Sequence, residues 1–94
     1  MTNAKRVTKK VLPDYFQDIV DGKKNFELRL NDFDISEGDM LVLEEYTSAD
    51  PATREPTGRS LERVVKGVHA FKVQDLWWSE EDIKRHGLQI ISFD

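Results

Sequence analysis

The chain has 94 residues, no cysteine, two histidines and no long apolar run. Without cysteine it can form no disulfide scaffold, thiolate metal site or cysteine nucleophile. The histidines, His69 and His86, have no recognisable ligand partners, which argues against a zinc site. No stretch is long and apolar enough for a transmembrane helix, and MTNAKR lacks the apolar core of a secretory signal. We therefore expect a cytoplasmic protein without a metal or cofactor.

The charge is plentiful but unevenly distributed along the chain. Charged residues make up 34% of the sequence, hydrophobic residues make up 38%, and the formal net charge is −4. Residues 1–30 carry a net +3, residues 31–62 a net −7, and residues 63–94 are neutral. An acidic total disfavours tight non-specific binding to nucleic acid, which depends on neutralising phosphates. A basic first third and an acidic middle could form two faces that suit a small anionic ligand.

The apolar periodicity predicts one folded domain over residues 1–94, with short helices and strands. Leu12-Pro13 begins a helix that Gly22 ends, and Ser79 caps a second helix that ends at Gly87. Glu37-Gly38-Asp39 is a predicted turn, and residues 47–57 are a predicted loop. The predicted strands are 7–12, 25–30, 40–46, one or two within 58–73, and 88–93. This order predicts an α+β domain around a small curved sheet or barrel.

The stretch GKKNFELRLND, Gly22 to Asp32, is the most chemically suggestive part of the sequence. If residues 25–30 are a strand, Glu27 and Arg29 project on one face about 7 Å apart. Lys24 lies at the junction between the helix and this strand. A cation, a carboxylate and a guanidinium together could bind a nucleobase edge or a phosphate. An ordinary solvated strand face shows the same alternation, so spacing alone favours that plainer interpretation.

The same stretch resembles a known family. Gly22, Lys24, Glu27 and Arg29 match the pattern G-x-K-x-x-E-x-R of the ASCH domain, which belongs to the PUA-like superfold. The flanking LPDYFQDIVDGKKNFELRLND, ISEGDMLVLEEY and TGR are similar to a small branch of that family, over roughly residues 7–65. The resemblance implies a small PUA-like β-barrel, which we expect to have about five or six strands and two short helices.

The resemblance also implies a site and a function. The family is proposed to bind RNA or nucleotides in a cleft beside the first helix. Lys24, Glu27 and Arg29 would line that cleft, and Gly22 would permit the turn that directs Lys24. We therefore expect an RNA- or nucleotide-binding module that is not an enzyme. No membrane or metal partner is expected, and a monomer is assumed.

Two other functions remain open. Some ASCH relatives are small amidohydrolases that act on acylated cytidine, and Lys24 and Glu27 would be the catalytic pair in such an enzyme. Those relatives have a threonine nucleophile where this chain has Glu27, and a carboxylate cannot replace an activated hydroxyl without a different mechanism. The second alternative is a protein-interaction module that uses the acidic segment Asp32 to Glu62.

Further ligand contacts are predicted outside the motif. Arg59 belongs to the TGR triplet and could close over an anion. Lys23 could extend a phosphate track formed by Lys24 and the basic residues near the N-terminus. Adjacent residues of an extended segment point in opposite directions, so one of Trp77 and Trp78 is expected in the core. The other would be a stacking platform, and Trp78 is included among the candidate ligand contacts.

Overall fold

A computed structural model describes residues 4–91 of the chain. Three strands form one sheet, and two short α-helices and a single 3₁₀ turn complete the regular structure of these residues. In chain order the elements are β1 (Arg6–Val11), α1 (Pro13–Val20), β2 (Met40–Tyr46), β3 (Pro56–Val64), the 3₁₀ turn (Val73–Asp75) and α2 (Glu80–His86).

The sheet has β2 at its centre. Strand β1 pairs with β2 in parallel, so that Thr8 is opposite Val42. Strand β3 pairs with β2 in the antiparallel direction, and Leu43 is opposite Leu61. The connection from β1 to β2 contains α1, as a parallel pair requires a crossover. Helix α1 and residues 21–39 therefore belong to the connection between β1 and β2, two strands that are adjacent in the sheet.

The predicted helix α1 is confirmed, including both of its ends. Pro13 occupies the first turn, where its missing N–H costs no hydrogen bond. After the helix, the Gly22 N–H donates to the Ile19 carbonyl at 3.1 Å and the Lys23 N–H donates to the Asp18 carbonyl at 2.8 Å. These two bonds are a Schellman motif, which needs a left-handed residue, and Gly22 has φ = 76°. The chain therefore leaves α1 in a fixed direction, towards Lys24.

The hydrophobic core lies between α1 and one face of the sheet. Phe16 and Ile19 of the helix pack with Val11 and Leu43, and Leu43 is only 1% exposed. Leu41 and Leu61 are partly buried against this cluster. Burial of such side chains stabilises a domain by about 1.5–3 kcal/mol each, so this small cluster fixes α1 on the sheet.

The predicted turn at residues 37–39 is also confirmed. Gly38 has φ = 93°, and the buried Asp39 carboxylate accepts hydrogen bonds from the Lys5 and Ser36 backbone N–H groups at 3.1 and 2.8 Å. These hydrogen bonds to the charged form lower the pKa of Asp39 below its usual value. Asp39 therefore holds the start of β2 beside the start of β1.

The predicted barrel is wrong. Within residues 4–91 the sheet is open and has three strands, because three segments that were predicted to be strands are irregular. Residues 25–30 pair with no strand, and residues 65–72, which were predicted to extend a strand, are irregular as well. The predicted last strand fails over residues 88–91, and its remaining residues, 92 and 93, lie outside the described part of the chain.

The segment 25–30 shows why alternation misled the prediction. Leu28 and Leu30, expected on the buried side of a strand, are exposed, Leu30 to 79%. An alternating pattern is compatible with a strand but does not supply a partner strand. The segment is attached instead through the side chains of Lys24, Glu27 and Arg29.

Candidate functional site

Lys24, Glu27 and Arg29 form one connected group, which we call the motif cluster. Lys24 Nζ lies 3.2 Å from Glu27 Oε1, and Arg29 Nε lies 3.0 Å from Glu27 Oε2. Each carboxylate oxygen thus accepts from a different cation. The Arg29 guanidinium also donates to the backbone carbonyl of Lys10 in the edge strand β1. The structure therefore brings together the three charged residues that the motif predicted.

The motif cluster is partly enclosed and carries an excess positive charge. The side chains of Lys24, Glu27 and Arg29 are 16%, 13% and 31% exposed. Two cations and one carboxylate leave one positive charge in surroundings that are less polar than water. Charges interact more strongly there than on an open surface, since the effective dielectric constant is lower. The cluster can therefore attract an anion, although donors on Lys24 and Arg29 already meet three acceptor atoms, the two oxygens of Glu27 and the Lys10 carbonyl oxygen.

Two aromatic rings flank the ammonium group of Lys24. Its Nζ lies 4.6 Å from the centroid of the Tyr15 ring and 5.4 Å from that of Phe26. Both distances are within the range of cation–π attraction. Tyr15 projects from α1 and remains more than half exposed. An aromatic surface and a charged group thus lie next to each other. A ligand that combines a ring with an anion could contact both.

Tyr15 also lines a cleft of about 430 Å³. Its two walls are the start of α1, residues 12–15, and the loop after β2, residues 47–49. None of the residues of the motif cluster lines this cleft. Tyr15 is the link between the two, because it lines the cleft and contacts Lys24.

Arg59 belongs to a second ionic group, with Glu45. Its Nη2 and Nε lie 2.9 and 3.0 Å from the two oxygens of the Glu45 carboxylate, and Thr57 Oγ1 donates to that carboxylate at 2.6 Å. The guanidinium carbon is 4.5 Å from the centroid of the Phe16 ring. The Arg59 and Thr57 hydrogen bonds lower the pKa of Glu45 from 4.5 to about 2. Arg59 therefore ties β3 to β2 and covers the core.

The remaining predicted site residues are separate from the motif cluster. Gly22 forms the turn described above, and the Lys23 side chain is exposed. The prediction that one tryptophan lies in the core is wrong, since Trp77 is 93% exposed and Trp78 is also exposed. Their rings contact each other edge to face, with centroids 6.1 Å apart. No hydrogen bond or ring contact in residues 4–91 joins Trp78 to Lys24.

The basic residues near the N-terminus face acidic and aromatic groups. Lys5 Nζ lies 2.9 Å from Asp34 Oδ2, and Arg6 forms an ion pair with Glu62. The next two lysines lie over rings, Lys9 over Phe33 and Lys10 over Tyr46. The basic first third is therefore joined to the acidic middle by ion pairs, which reduces the separation into faces of opposite sign.

Two residues of interest did not stand out in the sequence. Tyr15 is four residues before Ile19, so helical spacing predicts that it belongs to the apolar face of α1, yet its side chain is more than half exposed and lines the cleft. Glu45 was not singled out, but its position carried a signal. In MLVLEEY it has the same parity as Leu41 and Leu43, so alternation places its carboxylate on the buried side of β2.

Comparison with known proteins identifies a family. A family model described as "Domain of unknown function (DUF3850)" matches residues 8–78, and the chain belongs to that family. No curated protein and no solved structure matches the chain. In residues 4–91 no helix is long and apolar enough to cross a membrane, and no three acidic or histidine side chains are grouped so that they could hold a metal ion.

Proposed function

We propose that this member of the DUF3850 family binds RNA or a nucleotide at the motif cluster. The main support for this proposal is that Lys24, Glu27 and Arg29 contact one another in a partly buried group beside the exposed ring of Tyr15. The resemblance to the ASCH domain supports the same site, because its fixed motif positions are the residues that meet. We place this activity in the cytoplasm, in agreement with the cysteine-free sequence.

Each part of the site has a chemical role in this proposal. Lys24 and Arg29 donate to a phosphate or to acceptor atoms of a base, and charged hydrogen bonds of this kind contribute about 1.5–3 kcal/mol. Glu27 holds both cations and can accept from a base amino group. Tyr15 offers a stacking face, which contributes about 1–3 kcal/mol per base. The total suits a short segment, such as one or two nucleotides.

The overall charge also favours a short ligand. A long polynucleotide binds through many phosphate contacts, and this chain has a net charge of −4. The cations at the start of β1, Lys5 and Arg6, already face carboxylates. A single positive site on an acidic protein therefore favours a ligand that is short enough to contact that site alone.

The test measures binding of labelled single-stranded RNA by fluorescence anisotropy and of free nucleotides by calorimetry. We expect Lys24→Ala and Arg29→Ala each to abolish binding, since each removes a donor and leaves the Glu27 carboxylate with one cation fewer. Lys66→Ala and Arg63→Ala are the matched controls, because they remove the same charges from exposed positions elsewhere. Circular dichroism should show that all four variants keep the fold. Parent-like binding by both site variants would refute the proposal.

A hydrolase is the second candidate, because the Lys24 Nζ–Glu27 Oε1 distance of 3.2 Å permits proton transfer between the pair. The same protein is therefore incubated with a panel of acylated cytidines. Turnover that disappears in Glu27→Gln would favour catalysis over binding alone. The protein-interaction alternative has a different signature, namely partner binding that depends on residues 32–62 and is unchanged by Lys24→Ala.

A further inference from the structure

The C-terminal third of the described chain exposes an unusual number of large apolar side chains. Trp77 and Trp78 precede α2, and Leu88, Ile90 and Ile91 follow it, all of them exposed. We call residues 77–91 the C-terminal surface. Isolated apolar residues are common on protein surfaces, whereas a contiguous apolar patch marks an interaction site, and here five large apolar side chains are exposed within 15 residues. The surface is distinct from the motif cluster.

Helix α2, in the middle of this surface, has acidic residues in its first turn and basic residues in its last. Arg85 Nη2 lies 3.2 Å from Glu81 Oε1, and both side chains are largely exposed. Ile83 is half-buried, and at 100° per residue positions 81 and 85 lie on the opposite side of the helix. The side of α2 opposite Ile83 therefore presents the Glu81 carboxylate and the Arg85 guanidinium, about one helical turn apart, and the exposed Lys84–Glu80 ion pair runs beside them in the same direction.

The charges on α2 are complementary to those of a second α2 helix that runs in the opposite direction. Two α2 helices that pack antiparallel about a two-fold axis at Ile83 place Glu81 of each copy opposite Arg85 of its partner. The same axis places Trp77 and Trp78 of one copy near Leu88 to Ile91 of the other, since α2 is only about 10 Å long. A parallel arrangement would instead put like charges together. The surface thus carries both halves of each contact, as an isologous interface requires.

We infer that a second copy of this chain docks on the C-terminal surface to form a two-fold dimer. Apolar groups at both ends of α2 supply the buried area, and the Glu81–Arg85 contacts between copies fix the antiparallel direction. Opposite charges across an interface determine register and partner choice more than raw affinity. The self-complementary charge pattern selects another copy of the same chain over a partner of a single charge sign.

The test is sedimentation of the full chain across a range of concentrations. We expect the parent to form a dimer. Arg85→Glu makes positions 81 and 85 both acidic, and Glu81→Arg makes both basic, so each variant alone should dimerise at least tenfold more weakly. An equimolar mixture of the two variants should form a heterodimer with close to parent affinity. The two variants control for each other, because each removes the same ion pair within α2.

A further variant tests the apolar contribution. Trp77→Ser removes a side chain that is 93% exposed in the single chain, so its circular dichroism should match that of the parent while dimerisation weakens at least tenfold. The dimer proposal is overturned if the parent sediments as a monomer at every concentration. It is equally overturned if the single-charge variants remain dimeric, if their mixture fails to associate, or if Trp77→Ser dimerises like the parent.

Discussion

Glu45 is the residue in which burial and charge are most closely coupled. Its side chain is 6% exposed, yet it remains a carboxylate because Arg59 meets both of its oxygens and Thr57 donates a third hydrogen bond. A buried charge without such partners would be strongly destabilising. The pair therefore joins β2 to β3 on the side covered by Phe16, and its strength depends on the ionisation of Glu45.

The lowered pKa of Glu45 predicts a pH-dependent contribution to stability. Because the folded-state pKa is about 2 and the usual value is 4.5, the stabilisation is complete above about pH 4.5 and is lost as the pH falls towards 2. The parent should exceed Glu45→Gln in free energy of unfolding, and this difference should narrow over that range. Urea unfolding at a series of pH values measures it.

The neighbouring Glu44→Gln is the matched control for this experiment. Glu44 lies on the same strand but takes no part in the ionic group with Arg59. The difference in free energy of unfolding between the parent and Glu44→Gln should not narrow in the same way as the pH falls. A parent–Glu45→Gln difference that stays constant from pH 5 to about pH 2 would show that Arg59 does not hold the carboxylate in its charged form.

At the scale of elements, α1 and its exit turn decide where the motif cluster lies. The Schellman motif sends the chain from α1 directly to Lys24, whose ammonium then returns to the Tyr15 ring of the same helix. Gly22 makes this turn possible, because its φ of 76° is unfavourable for residues with a Cβ. The geometry of the site therefore rests on one glycine.

Substitution of this glycine should be costly even though space is available. A Cβ at Gly22 would meet no atom within 4 Å, so the cost of Gly22→Ala is backbone strain alone, about 1–2 kcal/mol in the free energy of unfolding. Gly67→Ala is the control, since Gly67 is equally open and lacks a left-handed φ. It should change stability by less than about 0.5 kcal/mol. Equal effects in urea unfolding would argue against strain at Gly22.

The elements that the sequence predicted correctly are those whose signals are local. Pro13 and Gly22 delimit α1, and Ser79 caps α2 by accepting from the Asp82 N–H at 3.1 Å. Strand β2 was predicted correctly from the apolar run around Leu43. The strand at 25–30 failed because pairing depends on another segment, which no local pattern specifies. Its side chains nevertheless meet, since Glu27 and Arg29 remain two residues apart in an extended segment.

For the whole molecule, long-range pairing changes what the charge distribution means. The uneven charge along the sequence predicted two faces of opposite sign. The ion pairs Lys5–Asp34 and Arg6–Glu62 instead bring the basic and acidic segments together. The ion pair within the motif cluster could be predicted from spacing, whereas the contact of Arg59 with Glu45 could not. That contact depends on the register of β2 against β3, which sequence spacing does not contain.

The distribution of packing predicts that the molecule is unevenly stable. Strands β1, β2 and β3 and helix α1 share the core, while α2 has seven residues and few contacts with other elements. Helices this short are marginal without packing, so α2 should open locally while the sheet stays folded. At a concentration low enough to dissociate the proposed dimer, amide hydrogens of β2 should exchange at least about a hundredfold more slowly than those of α2. Hydrogen exchange measured by NMR tests this gradient. Equal protection of α2 and β2 under those conditions would mean that both open only in global unfolding, and that the C-terminal surface is part of one cooperative unit with the sheet.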